Sequence, residues 1–553
     1  MIFLVNPIGN FPLIDDWAYG RAVYSLINEG KIQFSSWGQM SLIIQVLWGF
    51  LFCLPFGFSF TTLRFSTLFL GLIGIFATYS LIEEIKSSRN FAFIGALLVA
   101  INPLYFELSN TFMTDIPFFA LAMLSFFFFS RCIRLGKVKY AIVGSLFALL
   151  ATFVRQLGVL IPPAFALGYL AKNGIKKRAI LAAFLPAVIL VGFLIAYQVL
   201  QRFMSCLPNF FSSSVNAVLH SVKSDTWFLK LFLVYPVGIY YVFRTAIWYG
   251  EITLIYLGLF IFPILFLQVK RQWQQYTCGK KFGFLIFVSV ISFIFIKVSE
   301  VRGKLLPMFV PILFPQSSFG LGPLTLRDQY MLRLQHVPTA PIMLRQITTI
   351  MGIAGAAILL WNLLLIVLRF FSRNKDPDFV SEIPFILFVV SGCILYFIPL
   401  TYIDFLDRYL IFLLPLSMII LKGPVHLYKN QISSYFALII LLLICLFTIG
   451  ATHDYLSWNR ARWKALTYLT QERNISYKNI DGGFEFNGWY NYDPEYEPSA
   501  NKSRWWVEND DYVVSFGPMP GYEEVRKYSY QRWIPFRRDN ILILRRPTKG
   551  FAS

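Results

Sequence analysis

Two adjacent carboxylates open the stretch Asp15-Asp16-Trp17-Ala18-Tyr19, and a third acid stands alone in Met113-Thr114-Asp115-Ile116-Pro117. All three lie at the ends of apolar segments, in a chain that is 57% hydrophobic and only 14% charged. A carboxylate beside a bilayer is costly, so it marks a site more often than a surface. The chemistry open to such a group is removal of a proton from a hydroxyl, with nearby cations to hold a departing anion. Arg155 and Arg408 are candidates for that second task, because a guanidinium matches phosphate geometry and stays charged at a membrane surface. Arg302 and Lys304, in a long loop that also carries Gly320-Leu321-Gly322-Pro323, are two more. Each residue also has a plainer reading. Asp15 can cap a helix, Asp115 can cap a helix whose first turn holds Pro117, and the arginines can anchor at the interface or pair with Asp404 or Asp407.

The elements that must position these groups are membrane helices. Apolar runs close to the roughly 20 residues needed to cross a bilayer recur down to about residue 451. Crossing segments are expected at 62–83, 91–108, 116–133, 140–154, 157–171, 179–200, 250–269, 282–298, 346–368, 383–401, 405–421 and 434–451. The fold class is therefore a polytopic α-helical membrane protein. It has about twelve crossings, or thirteen if the apolar start Met1–Leu4 is the end of a helix that precedes it. Loops rich in Lys and Arg alternate with poorer or longer ones: Lys86/Arg89, Arg131/Arg134/Lys137/Lys139, Lys172/Lys176/Lys177/Arg178, Lys270/Arg271/Lys280/Lys281, Arg369/Arg373/Lys375 and Lys422/Lys429 form one set. The positive-inside rule places that set in the cytoplasm. The acidic pair, Asp115, the loop 299–345, Asp404/Asp407 and everything after residue 451 then fall outside. The scheme requires that two further apolar stretches, 40–56 and 229–249, do not cross. The first is interrupted by Gly38, Gly49, Pro55 and Gly57, and the second, with Arg244 and the following Glu251, suits an interfacial helix.

The net charge of +20 belongs to these loops and does not signal nucleic-acid binding. Six scattered cysteines carry no CxxC or metal spacing, and no cleavable signal peptide is visible. The four histidines, His220, His336, His426 and His453, are far apart in sequence, so a metal would have to be a Mg²⁺ or Mn²⁺ held by carboxylates.

The chain divides into a membrane domain, 1–451, and a soluble α/β domain, 452–553, on the external side. In the second, 454–473 has Leu456, Trp463, Leu466 and Leu469 at helical spacing, and β-like runs follow at 511–516 and 541–544, separated by Gly482-Gly483 and Pro518–Gly521 turns. The aromatics Trp489, Tyr490, Tyr492, Trp505 and Trp506 suit a core or interfacial belt first, and stacking on sugars second.

Sugar transfer from a polyprenyl-phosphate carrier would use these groups well. The lipid phosphate leaves as a stable anion that needs cations rather than a general acid, while the acceptor hydroxyl needs a base. In this setting the stretches Asp15-Asp16-Trp17-Ala18-Tyr19, Thr114-Asp115-Ile116-Pro117 and Asp407-Arg408-Tyr409-Leu410, in this order and all expected outside, resemble the GT-C membrane glycosyltransferases, in particular the aminoarabinose-transferase and protein-mannosyltransferase-like branch. The resemblance implies that Asp15, with Asp16 beside it, is the first external catalytic acid and that Asp115 is the second. Trp17 and Tyr19 are then acceptor-side loop residues. It also implies a polyprenyl-phosphate-sugar donor, a lipid, glycan or protein acceptor, inversion in a single displacement, and an active site on the outer face of a bacterial plasma membrane. The sequence departs from that family in lacking a full helix before the acidic pair. Where many members have a basic residue and Pro-Pro, it has Gln39, Met40 and Ser41. The competing readings are a lipid-linked glycan transporter or flippase and a polysaccharide polymerase or ligase. The expected spans carry no Asp or Glu in their middle turns, which weighs against ion-coupled transport.

Overall fold

A computed structural model of the chain describes residues 1–37, 40–86, 88–203, 236–301, 342–372, 377–401, 406–421, 432–497 and 505–547. The described residues are mostly helical and include one small sheet near the C-terminus. Among the described residues, seven helices are long and apolar enough to cross a bilayer, and two sharply bent pairs raise the number to nine. The seven match the expected spans at 62–83, 116–133, 179–200, 282–298, 346–368, 383–401 and 434–451.

The other expected spans are less regular than hydropathy implied. The segment 91–108 is the pair Arg89–Ala100 and Pro103–Ser109, bent by 63°. Asn102 causes the break: its Oδ1 accepts the N–H groups of Leu104 (3.0 Å) and Tyr105 (3.2 Å), and Pro103 begins a new helix. The segment 250–269 is bent by 78° at Ile261, just before Pro263. Segments 140–154 and 157–171 form shorter helices, Val138–Thr152 and Ile161–Asn173. Within 405–421 there is a 3₁₀ turn, Asp407–Ile411, and an eight-residue helix, Leu413–Ile420, which rises only about 12 Å. The stretch 40–56 contains the apolar helix Ile43–Phe56, 14 residues long and in the same length class as Val138–Thr152. The interfacial helix expected over 229–249 is not separate: helix Pro236–Phe260 runs through it into the next segment, and Glu251 sits buried in its middle.

Helix pairs in the bundle pack through small residues, which let backbones approach where no hydrophobic drive distinguishes helix from lipid. At Gly258, a Cβ would collide with the backbone of Gly352, Gly355 and Ala356 on helix Ile342–Phe371. The chain also sorts its charges to two ends. At one, Arg134 and Arg131 approach Glu84 (3.1 and 3.8 Å), and Lys172 Nζ donates to the carbonyls of Ile133 and Arg134, the latter at 2.7 Å. At the other, the N-terminal loop lies across the start of helix Phe60–Lys86. Arg64, buried, donates to the carbonyls of Pro7, Gly9 (3.3 Å) and Phe11 (3.0 Å), while Gly9 N–H donates to Thr61 Oγ1 (3.0 Å).

The last long helix, Ile432–Thr467, continues without a break past residue 451 and closes in a π turn, Tyr468–Glu472. The expected boundary between membrane and soluble parts thus falls inside a helix. The sheet is built from β1 (Ile480–Asp481), β2 (Tyr512–Ser515), β3 (Glu523–Trp533) and β4 (Phe536–Arg545), in the order β1-β2-β4-β3. Only the β1–β2 pairing is parallel. Alternate residues of the strands, Val514, Tyr530, Ile541 and Ile543, pack on Leu456, Ala465, Leu466 and Leu469 of the long helix. Asp454 pins the tip of the β3–β4 hairpin by accepting the N–H groups of Trp533 (2.7 Å) and Ile534 (2.9 Å).

Candidate active site

At the end of the bundle opposite the arginine-rich one, four elements bring charged side chains together. Asp15 precedes helix Asp16–Glu29, and Asp115 starts helix Asp115–Leu135. Arg155 precedes the 3₁₀ turn Gln156–Leu160, and Arg408 lies in the turn Asp407–Ile411. Three of the sequence motifs therefore meet in space with Arg155. Neither Asp15 nor Asp115 uses its side chain to cap the helix it begins, so the plain capping reading does not account for either carboxylate.

The pairing is specific. Arg155 Nη1 is 2.9 Å from Asp115 Oδ1, and Arg155 Nε donates to Thr114 Oγ1 at 2.8 Å, so one guanidinium fork fixes two successive residues. Arg408 stands between the acids, its Nη2 3.7 Å from Asp15 Oδ2 and its Nε 3.9 Å from Asp115 Oδ1. Tyr409 flanks both guanidinium groups, 5.2 Å from that of Arg155 and 5.7 Å from that of Arg408. The Asp115 side chain is 2% exposed and that of Asp15 is 16% exposed, so Asp15 is the more reachable carboxylate. Its Oδ1 accepts the indole N–H of Trp37 at 2.9 Å.

Asp16 occupies a different position. It is buried, and its two oxygens accept the backbone N–H groups of Leu13 and Phe112, the latter at 3.2 Å. It thereby ties the N-terminal loop to the loop that leads into Asp115. Burial pushes its carboxyl up to about 8, against the pull of Arg64 and of these two N–H groups. Trp17 is fully buried in a wall of aromatic rings, whereas Tyr19 is buried within electrostatic reach of Asp15, Arg408, Arg155 and Asp115. Arg302, Lys304, Asp404, Gln39 and the Gly320–Pro323 segment lie outside the described residues.

Three residues escaped the sequence reading, and Asp407 of the Asp407-Arg408-Tyr409-Leu410 motif joins them at the site. Glu107, at the end of an expected apolar span, is buried near this cluster, and its two carboxyl oxygens have no hydrogen-bond partner. Asp407 is buried and accepts the hydroxyl of Tyr256 at 3.2 Å. Glu485, from the C-terminal region, accepts the N–H of Ile14 at 3.1 Å and pairs with Arg462 at 2.9 Å. Trp37 is the third. Glu107 left a legible trace, as an acid inside a greasy run, whereas Glu485 and the packing of Trp37 depend on contacts with remote segments. Among the described residues, no three His, Cys, Asp or Glu side chains are placed to share a metal ion, and Asp15 and Asp115 each face a guanidinium instead.

Residues 43–200 match the family model described as dolichyl-phosphate-mannose-protein mannosyltransferase. That stretch contains Asp115 and Arg155 but not Asp15 or Arg408. No curated protein matches the chain. Among solved structures, ArnT from Cupriavidus metallidurans bound to undecaprenyl phosphate is 12% identical, with 100% of this chain and 97% of that one covered and a TM-score of 0.37. The archaeal oligosaccharyltransferase AglB from Archaeoglobus fulgidus, in complex with an inhibitory peptide and a dolichol-phosphate, is 14% identical over 86% of this chain and 55% of that one, with a TM-score of 0.36. Over the segment that holds half of its charged cluster, the chain is similar to the protein-mannosyltransferase family of GT-C membrane glycosyltransferases.

Proposed function

We propose that the protein is a glycosyltransferase that moves a sugar from a polyprenyl-phosphate donor to an acceptor hydroxyl at the outer face of a bacterial plasma membrane. The observation that carries this reading is the Asp15–Arg408–Asp115–Arg155 cluster, in which two acids and two guanidinium groups from distant segments meet at one end of an apolar bundle. Asp15, the more exposed acid, takes the acceptor proton as the acceptor oxygen bonds to the anomeric carbon. The bond from that carbon to the phosphate oxygen breaks, and its electron pair leaves with the polyprenyl phosphate. One displacement inverts the carbon. Arg408 faces the departing phosphate, while Arg155 holds Asp115 and Thr114 in place. Arg302 and Lys304 are further phosphate contacts in this reading, with Trp17 and Tyr19 supporting the acceptor side and Asp16 acting as a brace for the loop.

Twelve passes through the membrane suit the way the chain ends meet. Helices Val138–Thr152 and Ile161–Asn173 are short, yet Arg155 between them reaches the start of helix Asp115–Leu135 and Lys172 reaches its end. In this reading each of them traverses the same layer as that helix. Helix Leu413–Ile420 descends from the cluster until Met418 packs beside Gly95, and helix Ile432–Thr467 starts beside Phe266, its Phe436 ring 4.7 Å from that ring. With the arginine-rich end in the cytoplasm, the cluster and the domain after residue 451 face outward.

The test is sugar release from a panel of radiolabelled polyprenyl-phosphate sugars by membranes holding the wild type or Asp15→Asn. Turnover by the wild type that drops at least ~100-fold in the variant, at equal protein level, fits loss of a general base. Turnover unaffected by the variant moves the base to Asp115. Movement of a lipid-linked glycan across vesicles without turnover replaces the reading with a transporter, and chain extension of a glycan acceptor assigns a polymerase.

A further inference from the structure

The acid that the proposed reaction uses as its base is held from outside the membrane bundle. Asp15 Oδ1 receives the Trp37 indole N–H at 2.9 Å, and this leaves Oδ2 turned toward Arg408. An indole N–H can only donate, so the bond fixes which carboxylate oxygen is occupied. Trp37 is itself packed by rings from the C-terminal region. Its centroid lies 5.2 Å from Trp506 at 86°, 5.7 Å from Trp505 at 78° and 5.5 Å from Phe484, with Trp17 on a further side at 6.2 Å. Edge-to-face contacts of this kind set ring orientation as well as adding burial. The preceding residue is clamped too, Ser36 Oγ sharing a hydrogen bond with the Tyr492 hydroxyl.

We infer that Trp37 is a positioning residue for Asp15, and that the C-terminal domain acts in the reaction by holding Trp37 in place. The inference rests on the proposed role of Asp15. It assigns Phe484, Trp505 and Trp506 to shaping the base rather than to stacking on a sugar, because Phe484 and Trp506 are buried and all three rings pack on one another and on Trp37. A base misplaced by about 1 Å can lose as much as a hundredfold in rate, so a bond that selects the carboxylate rotamer acts on turnover and not on donor affinity.

Two measurements test it. In the first, the protein is labelled with indole-¹⁵N tryptophan and purified in detergent, and the indole N–H resonance absent from Trp37→Phe is assigned to Trp37. That resonance is expected to shift in Asp15→Ala, and an unmoved resonance overturns the bond. In the second, Trp37→Phe is assayed with whichever polyprenyl-phosphate sugar the wild type turns over. The expected result is a kcat lower by about tenfold, a donor KM within about twofold, and partial recovery in Trp37→His, which restores a ring N–H. An unchanged kcat overturns the inference. A fall in kcat that tracks a lower Tm and is not recovered by His assigns Trp37 to packing instead. If the wild type turns over no donor, the proposed function fails, and the resonance alone decides whether Trp37 holds Asp15.

Discussion

The backbone N–H of Ile14 donates to Oε1 of Glu485 at 3.1 Å, across 471 residues of sequence. The other oxygen of Glu485 pairs with Arg462 at 2.9 Å, and both side chains are almost fully buried. The residue just before Asp15 is thus fastened to the C-terminal region by a charged group that has a second obligation.

Glu485→Ala takes the carboxylate from a buried guanidinium, which keeps its bonds to Gly482 and Asn459, and the acceptor from the N–H of Ile14, a change that typically removes about 3–5 kcal/mol. Thermal unfolding of the detergent-purified protein is expected to show a markedly lower midpoint, with Glu485→Gln, which keeps an acceptor for Ile14, falling between. Equal midpoints for Ala and wild type would remove this link from the account of how the site is held.

The two guanidinium groups differ in what they hold, so their variants differ. Arg155→Lys keeps a charge but cannot span Thr114 and Asp115 with one fork, and turnover is expected to fall roughly tenfold. Arg408→Gln removes the cation between both acids and is expected to lower turnover on the order of a hundredfold. Donor release assays on the same membranes rank the two. The reverse ranking would make Arg155 the phosphate contact.

Asp16 gives the protein a pH signature. Its carboxyl is raised to about 8 by burial, whereas an unfolded chain loses that proton near 3.9. Between about 4 and 8 the folded state holds more protons than the unfolded one, so stability falls as pH rises through that window. Below about 4 the contribution is fully present, and above about 8 it is lost. Midpoints measured from pH 4 to 8 are expected to decline more steeply for the wild type than for Asp16→Asn. Parallel slopes would show that the carboxyl stays ionised, fixed by its two backbone donors.

Gly258→Leu places a side chain against the backbone of Gly352, Gly355 and Ala356. Overpacking of this kind costs about 1–3 kcal/mol or more where backbone cannot retreat. Lower yield of folded, monodisperse protein on size exclusion is the expected outcome. A well-behaved variant would mean that helices Pro236–Phe260 and Ile342–Phe371 separate easily.

Much of this architecture was legible in residue order. Arg131, Arg134 and Lys172, read as loop charges, meet at one end of the bundle, and Asp15, Asp115, Arg155 and Arg408, read from their positions beside apolar runs, meet at the other. Hydropathy failed where a polar side chain redirects the backbone. It saw 91–108 as one greasy span and could not see that Asn102 would restart the helix by binding Leu104 and Tyr105. It also separated 434–451 from 454–473 at a change in composition, although nothing there breaks a helix. The wall that links Trp17 and Trp37 to Phe484, Trp505 and Trp506 has no period to read, since its members are single residues from remote loops. The different surroundings of the neighbours Asp15 and Asp16 likewise follow from which way each side chain turns.

An unbroken helix from lipid to sheet also sets an angular phase. Each residue of helix Ile432–Thr467 turns the chain by about 100°, so one residue inserted near Gly450 would swing the whole sheet around the bundle. Glu485 would leave Ile14, and the rings at 505 and 506 would leave Trp37. The distance along this helix from Phe436 to Asp454 therefore works as a gauge, and its length in residues is held by the same contacts that hold Asp15.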